Sequence, residues 1–287
     1  MNRETCAYFR EKHGLERLEP IEKGWSSDVK YKAADKDGKL CLLRITPPGK
    51  DANRREMFEL TQRTASLGVP MCAPLGFGTC AEGTYSLFEW IDGVELEAAL
   101  ADLPDVEQYV YGVQAGEILQ KIHSIPAPDN VPDWAERFNA KASRKIEIFR
   151  SCPIQFEGGE AIIAYIEENR GLLENRPQCF QHGDYHVGNM MLDRAGKLRI
   201  IDFDRYDFGD PWEEFNRIPW CAQASPHFAT GLLNGYFGGE PPMEFWRLLA
   251  LYLGSNLLSS VSWAIPFGQG EIDTMLNQAK EVLGGYA

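Results

Sequence analysis

The sequence predicts an α+β protein in which a small, strand-rich first lobe precedes a larger, mainly helical one. Three observations lead to this. Residues 29–33, VKYKA, alternate apolar and polar side chains, and past an Asp37-Gly38 turn LCLLRIT makes a second strand. From Glu95 onward, apolar residues recur at helical spacing. One polar-rich stretch, Phe180 to Asn216, interrupts that texture with a short apolar strand, Leu198 to Ile201. We place the boundary after Asp92, giving lobes 1–92 and 93–287. A chain of 287 residues, 44% hydrophobic and 25% charged, is long enough for two lobes with cores of their own.

The chain opens on a polar helical arm, MNRETCAYFREKHG, which has no apolar stretch of the kind a signal peptide requires. The segment GWSSD leads into the strand VKYKA and, past Asp37-Gly38, into a second strand, LCLLRIT. Its glycine and serines offer small side chains and free N–H groups, as a phosphate-covering loop would; most such loops are only turns. Asp51 to Leu67 has helical composition, with Asp51 or Asn53 as cap and Met57, Leu60 and Thr64 along one side. The apolar strand TYSLFEWIDG ends at Asp92-Gly93. Helices are expected over Val106 to His123 and, as a pair, over Asp133 to Arg176, broken near Cys152-Pro153 and Gly158-Gly159. Leu248 to Phe267 is uncharged, but its serines, Asn256 and Pro266, with no flanking basic cluster, make it a buried core helix and not a membrane span.

Charge narrows the function. The net charge of −13 is uneven: residues 1–95 hold 14 Lys+Arg against 15 Asp+Glu, leaving 15 against 27 for residues 96–287. A surplus of about −12 in the second part would repel nucleic acid phosphates and suits a cationic substrate, or simply solubility. Seven scattered cysteines without a C-x-x-C pair suggest neither a disulfide framework nor a zinc ribbon, and fit a reducing cytoplasm.

The chemistry concentrates between residues 180 and 216. His182, Asp184, His186 and Asn189 share one loop, and Asp202 and Asp204 follow the apolar strand. H-x-D, an asparagine five residues beyond the aspartate and an aspartate at a strand end are the parts phosphoryl transfer needs, since there the protein mainly positions groups and neutralises charge. Asp184 can accept a proton from, or orient, an attacking hydroxyl. Asn189 supplies a neutral oxygen and Asp202 an anionic one, which together suit Mg²⁺, a hard cation that bridges nucleotide phosphates.

HGDYHVGN, IIDFD and GDPWEE closely resemble the aminoglycoside phosphotransferase and choline kinase-like family of small-molecule kinases, relatives of the protein kinases. The spacing of H-R-D-x-x-x-x-N is kept with Gly183 in place of arginine, and D-F-G becomes Asp202-Phe203-Asp204. The resemblance implies a protein-kinase-like bilobal fold and transfer of the γ-phosphoryl group of ATP or GTP to an alcohol, with two Mg²⁺ ions at Asn189 and Asp202 and Asp184 engaging the acceptor hydroxyl. It also implies that Ser26 and Ser27 contact the nucleotide phosphates, that Arg44 takes the place of the phosphate-gripping lysine with Glu56 as its helical partner, and that the backbone of Glu89, Trp90 and Ile91 receives the purine. An aminoglycoside leads the acceptor classes because of the acidic second lobe, which extends to an expected role in antibiotic resistance. Choline, ethanolamine and homoserine follow. Acidic and aromatic groups that suit a cation are Asp133, Trp134, Glu136, Asp207, Glu213, Glu214 and Trp220. No nucleic acid, membrane or protein partner is implied.

Several residues keep plainer readings. His182 and His186 serve as loop supports, Asp210 as a turn or cap, Trp134 and Trp220 as core, and Asp204 as a metal neighbour or a surface charge. Two other functions stay open: a metal-dependent hydrolase using His182, Asp184 and His186, for which further histidine ligands are wanting, and an inactive nucleotide-binding module, which the arginine at position 44 keeps in view.

Overall fold

A computed structural model describes residues 2–22 and 27–284. The chain divides into two compact units, Met1–Ala99 with Gly188–Asp204, and Leu100–Val187 with Arg205–Ala287. In chain order, unit 1 begins with α1 (Arg3–His13), β1 (Leu15–Ile21), β2 (Val29–Asp35), β3 (Leu40–Thr46), α2 (Arg54–Ser66), β4 (Pro74–Cys80) and β5 (Gly83–Glu89). The strands form one antiparallel sheet, ordered β1-β2-β3-β5-β4. The turn at Asp37-Gly38 forms as its sequence predicts: Asp35 Oδ1 accepts the N–H groups of Asp37 and Lys39, each at 2.9 Å, and Gly38 takes φ 81°. β1 was not anticipated. It is an edge strand in which only Leu15 is buried, so its sequence carries no alternation to read.

Alternation sorts the sheet into two faces. Tyr31, Ala33, Leu43, Ile45, Tyr85 and Leu87 pack with Phe9 of α1 into an apolar core. The opposite face carries Lys30, Arg44 and Ser86, which are neighbours across β2, β3 and β5. β6 (Gly93–Glu95) and the short α3 (Leu96–Leu100) come next.

Helices α4 (Asp105–His123), α5 (Trp134–Ser151) and α6 (Gly159–Asn169) and strand β7 (Cys179–Gln181) begin unit 2. The chain then returns to unit 1 for β8 (Met190–Asp193) and β9 (Leu198–Ile200), because β8 pairs with β6 on one side and β9 on the other. A single cut after Asp92 makes no provision for this return, which is a tertiary pairing between distant segments. β10 (Asp207–Gly209) pairs with β7, and α7 (Ile218–Ala224), α8 (Pro226–Phe237), α9 (Met243–Ala264) and α10 (Gln269–Gly284) complete unit 2.

α9 is long and apolar enough to cross a membrane, yet it lies in the core of unit 2, where Leu248, Leu251 and Tyr252 pack against Phe138, Ile146 and Ile163 of α5 and α6. α4 and α8 touch backbone to backbone. A Cβ on Gly112 or Gly116 would overlap a carbonyl oxygen of α8, and one on Gly231 or Gly235 a carbonyl of α4.

Candidate functional site

In unit 1 the site residues gather around Arg44, which is 7% exposed. Its Nε donates to Asp28 and its Nη2 pairs with Asp204, while Asp202 Oδ1 lies 3.8 Å from Nη1. Arg54, from the first turn of α2, reaches Asp28 at 3.1 Å and Asp204 at 2.9 Å. Glu56, expected as the partner of Arg44, is exposed on α2, and the carboxylates that meet Arg44 include Asp28, Asp202 and Asp204. The reach and fork of a guanidinium let one side chain engage carboxylates from two directions, which an ammonium in its place would not do. Asp204 thus pairs with both Arg44 and Arg54.

Lys30, the cross-strand neighbour of Arg44, is half-buried. Burial and the charge of Arg44 push its pKa down, partly offset by Asp202 and Asp28. Asn189 and Asp202 are brought together by the β8–β9 pairing, which Asn189 O extends by accepting the N–H of Ile201 at 3.0 Å. Asp202, whose side chain is 44% exposed, has φ 65°, a left-handed conformation that costs a side-chain-bearing residue about 1–3 kcal/mol. Ser27 is exposed, and Ser26 lies outside the described residues. Of the hinge residues, Glu89 has its N–H bonded to Ala73 O at 2.7 Å and its carboxylate paired with Arg199 at 2.6 Å, whereas Trp90 receives Lys32 over its ring at 5.0 Å and Ile91 is buried.

Unit 2 holds Asp184. Burial favours its neutral form, but His186, Arg217 and Arg205 outweigh this and hold the carboxyl well below the usual range. Arg217 Nε is 3.0 Å from Oδ1, and Arg205 Nε and His186 Nε2 are each 3.8 Å from Oδ2. Gly183 has φ 81°, and a Cβ there would overlap the carbonyl oxygen of Arg205, so the arginine that protein kinases place before this aspartate has no room. His182 is fully buried, its ring edge-on to Tyr185, and its Nδ1 is 3.3 Å from the backbone N of Asp184. The loop is clamped by Glu214, 2% exposed, whose carboxylate accepts the N–H of Gly183 at 3.0 Å and of Tyr185 at 3.3 Å. Asp210 is a buried anchor, bonded by Arg176 at 2.7 and 3.1 Å and by Tyr252 Oη at 2.6 Å.

The acids named for a cationic acceptor are mostly engaged. Asp133 caps α5 through the N–H of Glu136, and Trp134 is core, donating to Tyr252 Oη. Asp207 pairs with Arg137, and Glu213 with Lys141 at 3.0 Å. Glu214 holds the loop. Glu136 is exposed and Trp220 half-buried beside Arg217. Among the described residues no group of three His, Cys, Asp or Glu side chains is arranged to hold a metal, and all seven cysteines are free thiols. Sequence reasoning missed Lys30, Arg54 and Arg217. The alternation of VKYKA could have revealed Lys30, but the other two carry no local signal.

An antiparallel-sheet unit, a helical unit and the H-G-D, Asn, D-F-D series together define a phosphotransferase with the protein-kinase-like fold, acting on an alcohol group. The chain belongs to the phosphotransferase enzyme family abbreviated APH, whose pattern matches residues 17–246, and is thus a small-molecule kinase by family. No curated protein matches it by sequence. Solved structures with this fold include a choline/ethanolamine kinase family protein from Mesorhizobium loti, 17% identical over 98% of this chain and 92% of that one, with TM-score 0.69. A thermostable mutant of aminoglycoside phosphotransferase APH(4)-Ia, in ternary complex with AMP-PNP and hygromycin B, is 18% identical over 98% of each chain, with TM-score 0.70. The GDP complex of a mutant aminoglycoside 2'-phosphotransferase-IIIa is 15% identical over 98% and 96%, with TM-score 0.72. At these identities the likeness is one of fold.

Proposed function

We propose that the protein transfers the γ-phosphoryl group of ATP or GTP to a hydroxyl of a small molecule, with Asp184 engaging that hydroxyl. The observation behind this is the state of Asp184: Arg217, Arg205 and His186 keep it anionic, on a loop whose N–H groups are tied to a buried carboxylate. A carboxylate so held is oriented and ionised at neutral pH, as a group must be that accepts a hydroxyl proton during attack. The hydroxyl oxygen bonds to the γ-phosphorus as the bond from that phosphorus to the β–γ bridging oxygen breaks. The proton passes to Asp184 and then to solvent, leaving a phosphate ester and a nucleoside diphosphate.

Asn189 and Asp202 fit Mg²⁺, which takes one or two protein oxygens and completes its shell with phosphates and water. When bound, two such ions would neutralise phosphate charge. Lys30, Arg44 and Ser27 face the phosphates in this reading, and Trp90 and Ile91 the purine. The AMP-PNP, ADP and GDP complexes of structural neighbours support a nucleotide donor. Their hygromycin B and gentamicin complexes, with the acidic surplus, support an aminoglycoside-type acceptor and a role in antibiotic resistance. That surplus is taken up inside unit 2, however, at four of the five acids named for it. The reaction needs no nucleic acid, membrane or protein partner, and the free thiols suit the cytoplasm.

Labelled nucleotide tests the proposal. Asp184→Ala should abolish acceptor-dependent transfer while nucleotide affinity stays within about twofold. Transfer retained by the folded variant would refute the assignment, and nucleotide binding without turnover in the wild type would leave an inactive module.

A further inference from the structure

We infer that Arg54 and Asp28 are positioning residues of the nucleotide site, which hold Arg44 in line with the nucleotide phosphates. The inference rests on the kinase reading above and adds two residues to its nucleotide site. Four side chains of unit 1 form a ring. Asp28 Oδ2 accepts from Arg44 Nε and lies 3.1 Å from Arg54 Nη2, while Asp204 Oδ1 accepts from Arg54 Nη1 at 2.9 Å and its Oδ2 pairs with Arg44 Nη2. Each carboxylate is shared by both arginines, and each guanidinium spans both carboxylates. The four come from the residue before β2, from β3, from the first residue of α2 and from the turn after β9, so the ring ties together segments distant in sequence. The Asp28 side chain is 1% exposed and that of Arg44 9%, so solvent screens these pairs little.

The ring bears on the chemistry through what it does to Arg44. With Nε and Nη2 engaged, the planar guanidinium is held against rotation, and Nη1 lies 3.8 Å from Asp202 Oδ1. Asp202 is the anionic residue that fits Mg²⁺, and Lys30 flanks Arg44 on the same face of the sheet. A phosphate chain bound there would meet a cation whose direction is fixed before it arrives, which lowers the cost of ordering it. Arg54 acts through Asp28 and Asp204 and joins α2 to both. An ammonium at position 54 would carry the same charge, but as a single point it would not bridge two carboxylates as a fork does. At Asp28, charge alone and positioning predict opposite results. Removing its negative charge makes the ring more positive and by itself would tighten a polyanionic nucleotide, whereas freeing Arg44 to turn would weaken it.

The test is isothermal titration with AMP-PNP or GMP-PNP and Mg²⁺, whichever the wild type binds more tightly, and with the matching nucleoside. Arg54→Met should weaken the nucleotide about tenfold or more and the nucleoside, which has no phosphates, by less than about twofold. Arg54→Lys should remain at least about fivefold weaker than the wild type. Asp28→Ala should weaken the nucleotide as well, and the double variant should lose much less than the product of the two single losses, because both act on Arg44. Arg54 stands at a helix start with its side chain 19% exposed, so its variants report even if Asp28→Ala does not fold. Four results would each overturn the inference and leave the kinase reading standing: nucleotide affinity of Arg54→Met within about twofold of the wild type, an equal loss for nucleoside and nucleotide, full recovery in Arg54→Lys, or tighter binding by a folded Asp28→Ala. If the wild type binds nucleotide but transfers no phosphoryl group to any acceptor, the kinase reading falls and the same affinities still decide the roles of Arg54 and Asp28. A wild type that binds no nucleotide overturns both.

Discussion

Asp210 is the group whose removal should cost unit 2 most. It is 0% exposed and accepts four hydrogen bonds: from Arg176 Nε at 2.7 Å, Arg176 Nη2 at 3.1 Å, Tyr252 Oη at 2.6 Å and Trp212 N at 3.0 Å. Asp210→Ala leaves a guanidinium that is only 11% exposed without its bidentate partner. Breaking a buried pair from one side costs about 3–5 kcal/mol, because the remaining charge stays in a poor solvent for it. The orphaned Tyr252 hydroxyl adds about 1–3 kcal/mol when taken alone, although the two losses overlap. Arg176 keeps Glu244 at 3.5 Å and the Trp212 ring at 4.0 Å, so we expect the lower part of the range, about 3–4 kcal/mol. In a chain of this size that lowers the melting temperature by about 6–12 °C, measured by calorimetry or circular dichroism. Tyr252→Phe removes one bond to Asp210 and the acceptor of the buried Trp134 Nε1–H, and should cost about 1–3 kcal/mol. A loss below about 1 kcal/mol for Asp210→Ala would refute the view that this aspartate anchors the helical unit.

Arg217→Met should move the acid limb of the pH–rate profile upward. Its charge favours ionised Asp184, so without it Asp184 protonates at higher pH, although still as an acid titrating below neutrality. The same sign holds for stability: the depressed Asp184 contributes above the unfolded carboxylate pKa of about 4, and that contribution is lost as pH falls further. An unmoved acid limb would show that another group controls it. Lys30→Met should raise the KM for nucleotide roughly tenfold or more with little change in the melting temperature, since Lys30 stands beside Arg44 and its pKa is already lowered by burial. Unchanged nucleotide KM would remove Lys30 from the phosphate site.

The hairpin at Asp37-Gly38, the helices over Asp105–His123 and Trp134–Ser151, and the spacing of Asp184, Asn189 and Asp202 were legible in the sequence. Each is set within a few residues: a turn that demands φ > 0, a periodic apolar face, a loop of eight residues. Gly183 could be read as a departure from arginine, but only the overlap with Arg205 O shows why nothing larger fits. What tertiary structure alone decided is which charges meet. Arg44 meets Asp28, Asp202 and Asp204, and Lys145 meets Asn256 more than a hundred residues away. The net charge of the sequence does not reveal these pairings, because it sums over the whole chain whereas screened interactions between charges fade over about 10 Å. The reaction class is local in sequence; which charged groups meet depends on contacts that folding makes.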